Sequence, residues 1–278
     1  MEETASRVVP NILSLAGVDP SGGAGLLADI KTISALGGYA CGAVTALTVQ
    51  NTRGVSGVRI MSGDFVSAQL ESVLSDIRID AVKIGMLGNG EVIEAAAATL
   101  RNHPVKHIVL DTILVSTSGS PLLEPVATGV LIRKLLPLCT VFTPNLPEAT
   151  VLLGDRAPAD EVDMEDTARR LWDLAGGGPT VYLKGGHLPG NRMVDLVFDG
   201  KEVRRYESSR VKTENTHGTG CALSSAIAAL LPQRRSAWEA YSEAHDYLHG
   251  AIQAADRLSV GSGHGPVNHF WQLSLIHI

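Results

Sequence analysis

The sequence is poor in aromatic residues and has no excess of basic charge, and each shortage excludes a class of protein. Aromatic side chains make up 4% of the 278 residues, which leaves few rings on which nucleic-acid bases could stack. Lys and Arg total 23 against 29 Asp and Glu, and the resulting net charge of −6 disfavours binding to a polyanion. No apolar run approaches the ~20 residues needed to cross a bilayer. We therefore expect small-molecule partners, and neither a nucleic-acid nor a membrane partner.

Cysteine is also scarce. The three cysteines, Cys41, Cys139 and Cys221, are far apart and form no C-x-x-C pair, so neither a disulfide framework nor a zinc site is indicated. An acidic start at Glu2 and an interruption at Pro10 leave no pattern typical of a signal peptide. These features predict a cytoplasmic protein.

The residues that are abundant indicate a compact α/β fold. Hydrophobic residues make up 45% of the chain and charged residues 19%. Short, almost wholly apolar runs alternate with segments of helical periodicity, so we expect a mostly parallel sheet covered by helices on both faces. The predicted strands are Asn11–Ala16, Ala40–Val49, Ala81–Gly85, His107–Asp111, Leu138–Thr143 and Thr180–Lys184, and the predicted helices are Gly25–Leu36, Asp64–Ile77, Glu91–Arg101, Pro125–Leu136, Met164–Ala175, Gly220–Leu231 and Ala237–Ala255. The pattern predicts one domain over residues 1–278, with residues 1–10 as a flexible N-terminal segment.

One segment departs from this alternation. The runs Met193–Phe198 and Glu202–Ser208 flank Asp199 and Gly200, a pair typical of a type I′ turn between antiparallel strands. The hairpin is expected at one edge of the sheet, where it offers a seam for a homodimer.

The stretch THGTGCALSSAIAALL, residues 216–231, is the most informative part of the chain. Gly218, Thr219 and Gly220 precede a helix rich in small residues, so backbone N–H groups and the positive end of the helix dipole would face an anion. The same field would favour the thiolate of Cys221. Taken alone, the stretch fits equally well a helix start packed against the sheet with an inert, buried cysteine.

A second glycine-rich stretch, AGVDPSGGAGLLAD, follows the first predicted strand. Gly23, Gly25 and Ala28 match the dinucleotide fingerprint, which makes an NAD-binding oxidoreductase a competing hypothesis. The loop is too long for the tight turn of that motif, and the next strand ends in Gln50 where an acidic ribose anchor is required. No Walker-type nucleotide motif is present.

A third group of residues follows the ends of predicted strands. Since ligands of parallel sheets lie beyond the carboxyl ends of the strands, we expect these residues to meet in one crevice. Asp111 and Glu148 could hold a hydrated Mg²⁺, Asn145 could orient the ion or a phosphate, and Lys184 could neutralise phosphate charge. Each has a plain alternative, because a strand-end Asp often caps a helix, Asn-x-Pro-Glu often begins one, and a lone Lys is often solvated.

Two histidines, His245 and His249, stand four residues apart on a predicted helix. The acidic residue of an H-E-x-x-H zinc motif is missing, so they are interpreted as surface residues. The glycine-rich run Gly261–His269 is interpreted as a loop that lines or closes a site.

Taken together, the motifs resemble those of the hydroxymethylpyrimidine/phosphomethylpyrimidine kinases of thiamine biosynthesis, within the ribokinase-like superfamily. The resemblance runs from about Asn11 to Phe270 and rests on AGVDPSGGAG, TALTVQNT, KIGML, LDT, TPNLPEA, KGGH, NTHGTGC and GHGPVNHF in this order. It implies a three-layer ribokinase-like fold and a kinase that uses ATP with Mg²⁺. Such an enzyme phosphorylates 4-amino-5-hydroxymethyl-2-methylpyrimidine to its monophosphate and then to its diphosphate.

The resemblance also implies residue roles. The pyrimidine pocket corresponds to Gly17, Ala24, Asp29, Gln50, Met86 and Ile113; ATP binding to Asn145, Lys184 and His217; metal binding to Asp111 and Glu148; and the anion hole to Gly218, Thr219, Gly220 and Cys221. Many sugar kinases of the superfamily have Asp where this chain has Cys221, which leads to the hypothesis that this thiolate removes the proton of the substrate hydroxyl. Two departures, Val18 in place of Ser or Thr and Thr117 in place of Lys, affect substrate and ATP contacts. A pyridoxal or pyridoxine kinase, the NAD-binding oxidoreductase and a catalytically silent binder remain as alternatives.

Overall fold

The computed structural model describes residues 8–114 and 123–273, and this part of the chain is built on one nine-stranded sheet. The strands are β1 (Asn11–Val18), β2 (Tyr39–Asn51), β3 (Gly54–Ile60), β4 (Ala81–Ile84), β5 (His107–Leu110), β6 (Val141–Phe142), β7 (Thr180–Leu183), β8 (Arg192–Phe198) and β9 (Val203–Ser209). Their order across the sheet is β3-β2-β1-β4-β5-β6-β7-β8-β9. The pairs from β2 to β7 are parallel, whereas β2–β3, β7–β8 and β8–β9 are antiparallel. The predicted parallel sheet with an antiparallel edge is confirmed.

Helices cover both faces of the sheet. They are α1 (Gly25–Ala35), α2 (Gly63–Leu74), α3 (Gly90–Asn102), α4 (Thr128–Val130), α5 (Leu146–Leu153), α6 (Glu161–Leu174), α7 (Thr219–Leu230) and α8 (Ala237–Gln253). Successive residues of a strand point to opposite faces. Leu13 and Leu15 of β1 therefore belong to the apolar cluster that includes residues of α2, α3, α5 and α6, while Ile12 belongs to the cluster on the other face, with residues of α1, α7 and α8. The result is the three-layer arrangement that the apolar runs predict.

Two helical segments differ from the prediction. Residues 125–136, predicted as a regular helix, form together with the next two residues a 3-10 turn, the single turn α4, a π turn over Leu131–Leu135 and a second 3-10 turn that contains Pro137. Proline cannot donate the backbone hydrogen bond that would continue a helix, so the segment ends there. Helix α5 was not among the predicted helices, although the Asn-x-Pro-Glu pattern carried its start signal.

The hairpin between β8 and β9 is present, but its turn is not type I′. Phe198 pairs with Val203, so the loop has four residues rather than two. Type I′ needs a positive φ at both central residues, and within the described ranges only glycines adopt one, here Gly200 at 94°. The carboxylate of Asp199 instead accepts hydrogen bonds from the N–H groups of Lys201 and Glu202.

The parallel order brings the carboxyl ends of β1, β4, β5, β6 and β7 to one edge of the layer. The loops that follow these strands carry the residues interpreted above as a site. Thr117 lies outside the described ranges. Residues 1–7, which belong to the predicted flexible N-terminal segment, lie outside them too. No helix in residues 8–114 and 123–273 combines the length and apolar character that a bilayer span requires.

Candidate active site

A cleft of about 770 Å³ opens at the carboxyl ends of the parallel strands. Its volume is large enough for more than one small ligand. Of the residues predicted for the site, all except Asp29 line it. They are Gly17, Ala24, Gln50, Met86, Ile113, Asp111, Asn145, Glu148, Lys184, His217, Gly218, Thr219, Gly220 and Cys221. The fold thus brings together motifs that lie far apart in the sequence.

The first turn of α7 provides the predicted anion hole. Gly218 precedes the helix with a φ of 80° and supplies no side-chain cap, so the N–H groups that follow it are not closed off by a neighbouring hydroxyl or carboxylate. A Cβ atom at Gly218 would overlap the carbonyl oxygen of Gly23, which means that the two glycine-rich loops touch backbone to backbone. Only glycine satisfies both requirements. The amides and the positive helix end therefore face the cleft.

Cys221 follows this turn, and its thiol does not behave as predicted. The residue is 6% exposed, and burial raises the pKa of the Cys221 thiol to about 12, although the ammonium group of Lys83 lowers it. The expectation that the helix field favours the thiolate in the free protein is therefore wrong. Desolvation of a charge outweighs a helix dipole when the sulfur is this deeply buried. A thiol with a pKa of about 12 is protonated at neutral pH.

Asp111, Lys184 and Glu148 form a buried charged cluster at the ends of β5, β6 and β7. Lys184 Nζ lies 3.3 Å from Asp111 Oδ1 and 3.8 Å from Glu148 Oε2. Burial raises the pKa of Glu148, and the nearby Asp111 carboxylate raises it further, while Lys184 opposes the shift. Burial would lower the pKa of Lys184, but the two carboxylates raise it above its ordinary value. This combination can hold a cation and a phosphate side by side.

Asn145 and Glu148 also start helix α5. The side-chain oxygen of Asn145 accepts a hydrogen bond from Glu148 N at 2.8 Å, and Glu148 Oε2 accepts one from Asn145 N at 2.8 Å. This reciprocal capping box was the plain alternative to a ligand role. Both interpretations hold, because the two capped residues also line the cleft. The cap fixes the position from which Glu148 reaches Lys184.

Asp29 was predicted to contact the pyrimidine and does not line the cleft. Its carboxylate is fully buried, lies 2.8 Å from Lys83 Nζ and accepts hydrogen bonds from the hydroxyls of Ser14 and Ser225. These donors occupy both oxygens of the carboxylate and leave it no room for a ligand. Asp29 instead joins α1 to β1, β4 and α7, so it supports the helix that carries the anion hole.

His217 was predicted to bind ATP, but its ring contacts Asp19 and Gln50 instead of the predicted phosphate-binding residues Asn145 and Lys184. Its Nε2 atom lies 2.8 Å from Asp19 Oδ2 and 3.4 Å from Gln50 Nε2. The ring therefore contacts the loop after β1 and the end of β2, where the pyrimidine pocket was predicted. These contacts place His217 beside the predicted pyrimidine pocket, and its role in ATP binding stays a prediction.

Asp19, His245 and His249 are cleft residues that the sequence interpretation did not place in the site. Asp19 is buried under the loop it begins, where it accepts hydrogen bonds from Ser21 and from the N–H of Ala24. Its position at a strand end was the signal that could have identified it. His245 and His249 line the cleft rather than the surface, and His245 is 8% exposed. Their helix α8 packs on α7, which the spacing of two histidines does not reveal.

Comparison with known proteins places the chain among vitamin kinases. The family model described as phosphomethylpyrimidine kinase matches residues 19–268. The hydroxymethylpyrimidine/phosphomethylpyrimidine kinase of Salmonella typhimurium is 50% identical over 260 residues, which cover 94% of this chain and 97% of that protein. The thiamine biosynthetic bifunctional enzyme of Arabidopsis thaliana is 40% identical over 269 residues, 96% of this chain and 51% of that enzyme.

A solved structure gives the same result for the fold. The pyridoxal kinase from Staphylococcus aureus in complex with AMP-PCP and pyridoxal aligns with a TM-score of 0.85 at 32% identity, covering 95% of this chain and 94% of that one. The predicted resemblance is confirmed, and the dinucleotide hypothesis has no support in these matches. Since the family model spans residues 19–268 and a relative of half-identical sequence is matched over nearly its whole length, the chain belongs to the phosphomethylpyrimidine kinase family.

Proposed function

We propose that this protein transfers the γ-phosphoryl group of ATP to the hydroxymethyl oxygen of 4-amino-5-hydroxymethyl-2-methylpyrimidine, and that of a second ATP to the resulting monophosphate. In each step the bond between the γ-phosphorus and the bridging oxygen breaks, ADP leaves, and a new P–O bond forms. The proton of the alcohol is released in the first step. The diphosphate product suits thiamine biosynthesis, with which the names of the relatives agree.

The observation that carries this proposal is the position of the anion hole. Gly218, Thr219 and Gly220 line the same cleft as Gln50 and Met86. A pyrimidine held beside Gln50 would therefore present its alcohol to a phosphate bound at the start of α7. Backbone donors aimed at the transferring group stabilise its charge without reorganisation, and a loose phosphoryl-transfer transition state needs little more than positioning and charge.

Lys184 provides a positive charge near the phosphate groups. Its ammonium group is held between two carboxylates at one end of the cleft and can balance phosphate charge as ADP leaves. Thr143 Oγ1 donates a hydrogen bond to Asp111 Oδ1 at 3.3 Å, which orients the carboxylate that faces Lys184. Ser224 Oγ lies 3.3 Å from Asp111 Oδ2 but has a nearer acceptor for its proton, Gly220 O at 2.9 Å. These contacts hold the phosphate-binding groups in place before a ligand arrives.

Asp111 and Glu148 fit a Mg²⁺ ion bound through the phosphates of ATP. Both carboxylates are buried, and burial together with the like charge of Asp111 raises the pKa of Glu148. Within residues 8–114 and 123–273 no group of three His, Cys, Asp or Glu side chains could hold a metal by itself. Mg²⁺ typically takes one or two carboxylates together with waters and substrate phosphates, so this donor set agrees with its preference. When bound there, the ion would neutralise charge on the phosphates.

A kinase assay with matched alcohols tests the proposal. The purified protein is incubated with Mg-ATP and either the aminopyrimidine or pyridoxal, and ADP is measured. We expect kcat/KM for the aminopyrimidine to be greater by about tenfold or more, as for a site whose polar groups match one substrate, and accumulation of monophosphate followed by diphosphate. Efficient turnover of pyridoxal alone would support the kinase of the similar ring alcohol that the Staphylococcus aureus likeness suggests. ADP release with neither alcohol would contradict the proposed function.

A homodimer is also proposed, although the structure favours a different surface from the predicted one. Strand β9, at the predicted seam, exposes Arg204, Arg205 and Glu207, and charges on an edge strand oppose pairing with a second copy. Near the opposite side of the sheet, Leu47 and Val49 lie on one face of β2, the strand next to the edge strand β3, and are 48% and 65% exposed. A second copy of this chain is the occupant we propose for this apolar face.

Light scattering after size exclusion tests the dimer. The wild-type chain should elute with twice its sequence mass, and Val49→Lys should shift it toward the monomer because a buried charge opposes association. Arg204→Ala on the other edge is the matched control and should leave the dimer intact. A monomeric wild type, or a Val49→Lys variant that remains dimeric, would contradict the proposed surface.

A further inference from the structure

Asp19, His217 and Gln50 form a chain of side chains between the loop after β1 and the end of β2. His217 Nε2 lies 2.8 Å from Asp19 Oδ2 and 3.4 Å from Gln50 Nε2. The ring has little freedom. The backbone N–H of His217 donates to Gly265 O at 3.0 Å, and a Cβ atom at Gly23 would overlap the ring. The imidazole ring is therefore held in place, with its Nε2 atom close to both the Asp19 carboxylate and the Gln50 amide.

The carboxylate decides where the imidazole proton lies. Burial would raise the pKa of Asp19, but hydrogen bonds from His217 and Ser21 hold it below its ordinary value, so the group is ionised at neutral pH. An ionised carboxylate accepts hydrogen bonds and cannot donate one. The 2.8 Å contact thus requires the proton on His217 Nε2. A protonated nitrogen repels the NH₂ group of Gln50 and attracts its oxygen.

The other neighbour of the Gln50 amide favours the same arrangement. The single hydroxyl proton of Thr48 has two acceptors within reach, Val18 O at 2.9 Å and the Gln50 oxygen at 3.1 Å. When the shorter bond takes this proton, Thr48 offers only lone pairs to Gln50, and these suit an NH₂ group. Turning the amide by a half-turn about its terminal bond exchanges oxygen and nitrogen without moving the heavy-atom positions. The oxygen then faces His217, the nitrogen faces Thr48, and both contacts become favourable.

We infer that Asp19 and His217 are positioning residues that determine substrate specificity. They fix the orientation of the Gln50 side-chain amide. This orientation decides which side of the amide donates a hydrogen bond to the substrate ring and which side accepts one from it. The inference rests on the proposed function and deepens it. An aminopyrimidine carries a ring nitrogen that accepts next to an exocyclic amine that donates, and one orientation of an amide matches this pair. Pyridoxal carries neighbouring phenolic and aldehyde oxygens, which do not reproduce a ring-nitrogen acceptor beside an amine donor.

The variant Asp19→Asn tests the inference. An asparagine NH₂ can donate to His217 Nε2, so the imidazole proton can move to Nδ1 and the Gln50 amide loses its preferred orientation. We expect the Kd of the aminopyrimidine, measured by calorimetry without nucleotide, to rise about tenfold, as for the loss of a matched buried hydrogen bond. The Kd of pyridoxal and the KM of ATP should change less than about twofold, because neither ligand depends on the amide orientation. The ratio of kcat/KM for the two alcohols then falls about tenfold.

Ser21→Ala is the matched control. It removes a different hydrogen bond to Asp19, from Ser21 Oγ at 2.8 Å, and leaves the proton on His217 Nε2. Its alcohol selectivity should therefore equal that of the wild type. Should Asp19→Asn fail to fold, His217→Phe takes its place, because it keeps an aromatic ring in the same position and removes the donor. It should show the same fall in selectivity.

The outcomes separate this inference from the proposed function. A wild-type protein that phosphorylates neither alcohol overturns the proposed function. With an active wild type, unchanged selectivity in the folded variant overturns the role of Asp19. An equal loss of affinity for both alcohols, or a Ser21→Ala variant with the same loss of selectivity, also overturns it, since either result would come from a general disturbance of the loop.

Discussion

Replacing Lys83 by methionine is expected to lower the free energy of unfolding by about 3–5 kcal/mol, because it leaves a buried carboxylate without its counter-charge. Lys83 Nζ lies 2.8 Å from both oxygens of Asp29, and both side chains are fully buried. The pair lies beneath the start of α7, to which Ser225 connects it. Denaturant unfolding followed by circular dichroism gives the free energy directly.

The double variant Lys83→Met, Asp29→Asn is the control for this prediction. The amide introduced by Asp29→Asn is neutral. Ser14 and Ser225 donate to opposite oxygens of the native carboxylate, so the amide oxygen can accept from one hydroxyl while the amide NH₂ donates to the oxygen of the other. Since no uncompensated charge remains, the double variant should recover more than half of the stability lost by the single variant. A single variant within about 1 kcal/mol of wild type would show that the ion pair does not hold this part of the fold.

Replacing Cys221 by alanine is expected to slow the first phosphorylation about 100-fold and the second less than about tenfold. The first acceptor is an alcohol whose proton must leave, whereas the second is already a phosphate anion, for which positioning dominates. Because the pKa of the Cys221 thiol is about 12, the thiolate fraction grows with pH over the whole working range. The wild-type rate of the first step should therefore rise from about pH 7 to about pH 9, and the variant should lose this rise.

Separate single-turnover measurements of the two steps check this role. Cys41→Ala is the matched control, because Cys41 is a half-buried residue of β2 outside the cleft. It should keep both rates and the pH dependence. Equal losses in the two steps of Cys221→Ala, or an unchanged pH profile, would contradict the function of Cys221 as a base.

The parts of the fold that follow from local patterns could be predicted from the sequence. Strands such as β1 and β7 are apolar runs because helices cover both of their faces. Strand β3 was missed because its sequence GVSGVRI is glycine-rich and half exposed, so it lacks the pattern of a buried strand. The turn at Asp199 depends on a side-chain hydrogen bond that the Asp-Gly pair does not specify.

The sequence predicted which residues line the cleft better than it predicted the burial and ionisation of their side chains. Motifs at the ends of parallel strands meet in one cleft because the topology requires it. Asp29 is buried in an ion pair with Lys83, which lies 54 residues away in the sequence. A sequence pattern does not show that these two residues pair. The burial of Cys221 and of His245 depends likewise on how α7 and α8 pack. The spacing of residues in the sequence therefore could not predict the raised pKa of the Cys221 thiol or the position of His245 in the cleft.

In the proposed function the turn at Gly218 receives the phosphoryl group while the pyrimidine lies beside Gln50. A crystal structure with a non-hydrolysable ATP analogue, Mg²⁺ and the aminopyrimidine would show whether both ligands bind there. We expect the γ-phosphate to accept hydrogen bonds from the amides of residues 218–221, with the hydroxymethyl oxygen about 3–3.5 Å from the γ-phosphorus. A γ-phosphate bound away from this turn, or a pyrimidine bound outside the pocket of Gln50 and Met86, would overturn the proposed arrangement.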